Sequence, residues 1–248
     1  MIRRTETTLI KNMQKIAMPS RNFSLTILVA LIPFVCSAQD YNTACGSLTN
    51  HYGPFDYRTA SAAGKRLVEG AHFTPKVESL AGGNTSITAG GDMNYTLRVF
   101  PNHHRALMAV IKLGEKEKKI RPRGMDYSVA CWFDRAERFK PDDGMVKAIH
   151  GIYLIRSGKP SEAVKKLEEA IELAGDNPNI LYNLGLAYCD LKLYDKALEN
   201  AHRAYAAGFP LPGLRNKLKQ AGKWQEPQRL NAERTESSAN KPSPGPAD

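Results

Sequence analysis

The sequence predicts an all-α solenoid of helical hairpins, about three repeats closed by a capping helix and preceded by an irregular N-terminal cap. Three observations lead there. Within residues 144–211 the chain repeats itself: Gly151 and Gly185, Leu154 and Tyr188, Ala163 and Ala197, and Ala170 and Ala204 are each 34 residues apart. A fixed period of that length is the mark of stacked supersecondary units, each burying its apolar face on the next. Residue size follows the same register, with glycine and alanine where two helices touch and larger apolar residues a turn away. Boundary chemistry agrees as well: Asn177-Pro178 reads as a cap and first helical position, Pro160 opens a helix, and Gly208 closes one.

Taken in order, the chain begins with a leader. Residues 25–35 (LTILVALIPFV) form an apolar run after Arg21, followed by Cys36, Ser37 and Ala38. This is the pattern of a secretory signal peptide, with cleavage expected after Ala38. The run is too short to span a bilayer as a mature helix. Retention as an N-terminal anchor is the alternative, and translation from either Met1 or Met18 fits the pattern. Lipidation fits poorly, since Cys36 follows Pro33, Phe34 and Val35. The expected product is exported and periplasmic, with 1–38 removed. Arg3, Arg4, Lys11, Lys15 and Arg21 against Glu6 put +4 of the net +10 in the leader, which leaves +6.

That remainder suits acidic partners or peripheral proximity to an anionic membrane. Nucleic acid is not expected, because no zinc-finger, RNP or KH signature accompanies the charge. Export also governs the cysteines, since disulfides persist in oxidising compartments. Cys45, Cys131 and Cys189 remain after cleavage. Cys189, beside Tyr188 on a repeat helix, reads as free and structural, and the expected bond is Cys45 to Cys131, although spacing alone does not establish connectivity.

Residues 39–91 are rich in turn formers and read as a cap, with helices expected at 59–69 and from Thr74-Pro75. Asp92 is the expected N-cap of a helix over 93–100, stopped by Pro101. The solenoid is expected over 92–224. Its first repeat spans 104–143, with helices at 104–118 and 126–140. Phe133 and Ala136 stand 34 residues before Leu167 and Ala170, provided that 119–124 (KIRPRG) is a loop insertion. The second and third repeats follow at 144–177 and 178–211, and a basic amphipathic stretch over 212–224 is the capping helix. From 225 the chain is polar with Pro and Ser and is expected to be disordered.

Residues 104–211 thus resemble three tetratricopeptide repeats. The motifs YGPFDYR (52–58), HFTPKVE (72–78) and YTLRVFPNHHRAL (95–107) also resemble those of a group of exported bacterial repeat proteins. The resemblance implies that the first helix of each repeat lines a concave groove for a peptide or protein. By repeat position that groove holds Arg105, Met108 and Lys112, then Met145, Ala148, Ile149, Ile152 and Ile155, then Asn179, Tyr182, Asn183, Leu186 and Cys189. Asn183 matches a position where some relatives grip a terminal carboxylate. Ala148, Ile152 and Leu186 stand where that grip needs polar or basic residues, so the expected ligand is an amphipathic helix or an extended apolar segment. The N-terminal cap folding into the groove is the competing expectation.

No nucleophile motif, phosphate loop or metal-ligand spacing is present, so no catalytic residue, metal or cofactor is expected. The functional expectation is an exported interaction scaffold in envelope assembly. The alternative is a small-molecule or metal-binding protein using the His103-His104 junction.

Overall fold

The structure, a computed structural model, describes residues 45–227. The leader and all but the first few residues of the polar tail lie outside the described residues. Among the described residues there are ten α-helices and no strand: α1 Ala62–His72, α2 Pro75–Glu78, α3 Ala89–Val99, α4 His104–Glu117, α5 Val129–Phe139, α6 Gly144–Arg156, α7 Pro160–Ala174, α8 Pro178–Asp190, α9 Tyr194–Ala206 and α10 Gly213–Gln220. None is long and apolar enough to cross a membrane.

The tightest pairings are α6 with α7 and α8 with α9, and α7 packs in turn on α8. Side-chain size explains the close approach. A Cβ added at Gly151 would lie 2.5 Å from Cγ of Leu167, so the helix pair closes only over glycine. At Gly185 the neighbour is different, because α9 carries Ala201 where α7 carries Leu167. There Leu214 of α10 approaches instead, 2.5 Å from the Cβ a larger residue would have. Leu167, Ala201 and Leu214 are all fully buried. The last helix therefore inserts a leucine beside a glycine that no large residue of its own hairpin covers, and this is how it caps the stack.

Toward the N-terminus the spacing is less regular. Helix α5 begins at Val129 rather than at 126, because the Ser128 side chain accepts the Cys131 N–H and the Val129 N–H reaches Ile120 O at 2.9 Å. Lys118 ends α4 in a left-handed conformation. Helix α1 starts three residues later than the apolar stripe suggests, capped by Ser61, and runs to His72. Helix α3 also corrects the sequence reading: its cap is Thr88, and Asp92 lies inside the helix, fully buried. One apolar core joins α2–α6, from Phe73 and Val77 through Met93, Leu107, Trp132 and Phe133 to Ile149. A second runs from Ala148 and Leu154 through the α7–α9 alanines to Leu218.

Candidate protein-binding face and its N-terminal junction

Helices α4, α6 and α8 are the first helices of the three repeats, and neighbouring members of this row are in contact. The residues assigned to their shared face divide into two kinds. Arg105, Lys112 and Asn179 are exposed, while Met108, Met145, Ile152, Asn183 and Leu186 are half-buried. Ile149 and Tyr182, expected along the groove, are buried. Tyr182 packs its ring 4.4 Å from that of Phe209, and its hydroxyl faces the backbone at Gly213 and Leu214. Both residues sit beneath the face and fix its shape. Ala148 and Cys189 are likewise buried, and burial pushes the Cys189 thiol up to about 11, so it is inert at neutral pH.

Along α6 and α8 the accessible part of the face is aliphatic with one polar strip. Ile152 and Leu186 supply aliphatic surface, and the Asn183 amide donates to Asn179 O and Asn179 Oδ1, both at 2.8 Å. That fixes the orientation of the Asn183 amide and leaves its carbonyl oxygen able to accept. At the α4 end the cap intrudes: Glu78 of α2 pairs with Arg105, whose guanidinium lies over the Phe73 ring at 5.4 Å. The Arg105 pairing holds the Glu78 carboxyl below its ordinary value. Residues 45–58 take another course. Arg135 of α5 donates to Cys45 O and Ser47 O, Phe55 N–H reaches Val99 O, and Tyr57 stacks on His103.

Cys45 and Cys131 lie at disulfide distance, with sulfurs 2.10 Å apart. They close the N-terminal segment onto α5 where the Arg135 hydrogen bonds already hold it.

The His103-His104 junction is a hydrogen-bond hub. His103 caps α4, its Nδ1 accepting the Ala106 N–H, which leaves Nε2–H to donate to Glu69 at 2.9 Å. Burial pushes its imidazole down to about 4, against the pull of Glu69. The Tyr57 hydroxyl meets the same Glu69 oxygen at 2.7 Å, and burial with that carboxylate pushes the phenol up to about 12. Asn102 is fully buried and fully used: its amide donates to Asp56 and Asp143, and its carbonyl accepts the Tyr57 N–H. Asp143 in turn caps α6 and meets His104 Nε2 at 3.0 Å. The FDYR and PNHH segments are thus welded to one helix start. No group of three or more His, Cys, Asp or Glu among the described residues could hold a metal ion, and the junction histidines are committed to protein partners.

Two recesses escaped the sequence reading because loop 118–128 builds their walls. One, of about 240 Å³, lies between the ends of α4 and α6 and is lined by Ile111, Ile120, Val129 and Tyr153. The other, of about 440 Å³, lies between loop 118–128 and the segment before α3.

Residues 154–192, from the last three residues of α6 through α8, match the model of the TPR repeat. Comparison with curated proteins finds no match. The all-helical architecture and this match make the fold a tetratricopeptide-type solenoid, a class of scaffold that mediates contacts between proteins.

Proposed function

We propose that this protein is an exported scaffold that holds an apolar peptide or protein segment along the face of α6 and α8, in an assembly at the cell envelope. The observation that carries the reading is the combination on that face of half-buried Ile152 and Leu186 with the Asn179-Asn183 strip. Ile152 is not among the side chains packed into either large core. An aliphatic side chain held this way contributes most when a partner covers it, and an oriented amide beside it can pair with a ligand backbone. Cap residues Glu78 and Phe73 close the α4 end, so the ligand runs over the second and third repeats. Export rests on the leader pattern together with the Cys45–Cys131 pairing, which an oxidising compartment preserves.

A photo-crosslinking residue at position 183, introduced into the full chain in cells, should give a discrete product that disappears when Ile152→Asp is added. Position 183 is chosen over 182 because Tyr182 is buried. A product that survives Ile152→Asp, or its absence in cells that express the protein at normal level, contradicts the assignment. N-terminal sequencing of the mature chain tests export, with Gln39 expected first; a chain still carrying its leader contradicts it.

A further inference from the structure

We infer that loops 80–88 and 118–124 form a docking surface for an anionic lipid bilayer. The two most exposed large apolar side chains among the described residues are Ile87, 99% exposed, and Ile120, 84% exposed. They belong to loops far apart in sequence that the fold holds together. The Lys116 ammonium donates to Leu80 O at 2.9 Å, and the Thr88 hydroxyl donates to Arg123 O at 3.4 Å. A Cβ at Gly124 would collide with Thr88 Oγ1 at 2.3 Å, and one at Gly90 with Arg123 O at 2.0 Å, so the two backbones meet over glycine. The recess of about 440 Å³ between them is lined by Leu80 and Leu113 together with Lys116, Lys119, Arg123 and the single carboxylate Glu117.

The charge around these isoleucines is predominantly positive. Residues 116–123 carry Lys116, Lys118, Lys119, Arg121 and Arg123 against Glu117 alone. Glu117 is already paired with Arg123, and the preceding carboxylate, Glu115, with Arg156. Lys76 adds a further cation beside Gly82. Isolated aliphatic tips ringed by long cationic side chains match a lipid interface. The tips can enter the acyl boundary while the lysine and arginine stems lie along it and place their charges at the phosphates. An acidic protein partner would satisfy the cations. It would have to offer a separate socket for each of two nearly fully exposed isoleucines, whereas a bilayer takes both without one.

The test uses the full chain with vesicles of phosphatidylcholine, with and without 30% phosphatidylglycerol. Because residues 25–35 are themselves apolar, the readout is local. In a Cys36→Ser background, which removes the thiol beside that apolar run, Ile120→Cys carries a polarity-sensitive fluorophore, and a second chain carries it at Ser161→Cys on α7; Cys189 is buried and Cys45 is paired with Cys131. The label at 120 should shift to an apolar signal only on the anionic vesicles, while the label at 161 stays aqueous. Lys119→Gln with Arg121→Gln, two charges removed, should weaken that transition by about 30-fold. Ile87→Ser should weaken it further with no change in thermal stability. A label at 120 that stays aqueous on the anionic vesicles, whether or not the chain is bound to them, or equal transitions on neutral and anionic vesicles, overturns the inference. So does a double charge variant that docks like the parent.

Discussion

The two ends of the described chain are held together by different physics. From the cap through the start of α6, the interior contains charged and polar side chains: Asp92, Asn102, His103, Arg135 and Asp143 are buried. From there to α10, Asn200 is the one buried polar side chain among the described residues, and the packing is leucine, tyrosine and alanine over glycine. The regular repeats need no interior polar groups because each hairpin offers its neighbour the same small-residue seat. The cap has no such periodic seat. It is attached by hydrogen bonds that fix one arrangement, and their weakness is that each depends on all its partners being present.

The most damaging change should therefore be polar and N-terminal. Asp92 accepts the Asn84 N–H at 2.6 Å, the Ser86 N–H at 3.0 Å and His72 Nδ1 at 3.0 Å. Burial raises its carboxyl, but those hydrogen bonds outweigh burial and hold it below the ordinary value. Asp92→Ala strands three donors and should cost about 3 to 5 kcal/mol by denaturant unfolding. A loss under about 1 kcal/mol would show that loop 80–88 does not depend on this carboxylate.

A smaller effect separates the regions by pH. The His103 imidazole, pushed down to about 4 by burial, stays neutral in the folded chain while the unfolded chain takes up a proton below about 6.5. Its neutral-state stability is complete above 6.5 and is lost as pH falls toward 4, on the order of 2 kcal/mol. Between pH 7 and 4.5 the denaturant midpoint should fall more steeply for the parent than for His103→Gln. Equal slopes would remove His103 from the account. Below about 4.5 a second loss begins, as Glu137 takes up a proton in the unfolded chain. Burial would raise its carboxyl, yet His150 and Lys166 hold it down to about 2, and the stability it supplies disappears as pH falls toward that value.

The smallest effect is expected at the counterpart in the regular half. Asn200 donates to Lys196 O at 2.8 Å within its own helix, and its carbonyl oxygen has no partner. Asn200→Ala should change stability by no more than about 1 kcal/mol in either direction. A loss as large as that of Asp92→Ala would erase the contrast between the halves.

The same contrast explains what could be read from the chain. The 34-residue register is visible because seats such as Gly151 and Gly185 must recur wherever helices approach closely, and all four register pairs are buried. The His103-His104 pair was legible as a helix start. Its partners Glu69 and Asp143 were not, because hydrogen bonds across 34 and 39 residues leave no periodic trace. Asp92 looked like a cap because Asp before an apolar run usually is one. Thr88 takes that role here, and the loop ahead of it folds back onto the carboxylate. Within the candidate face, repeat position located the right helices, but not which residues the α9–α10 connection would cover. Tyr182 lies under Phe209 and Gly213, contacts that depend on how the last repeat closes and not on its register.

Segment-resolved hydrogen exchange on the Asp92→Ala chain tests the division between the two regions most directly. The account predicts that protection falls in α1, α2 and α3 and in the Asn84–Ser86 amides, while α7, α8 and α9 keep the protection of the parent. Loss of protection in both regions to the same extent would contradict it.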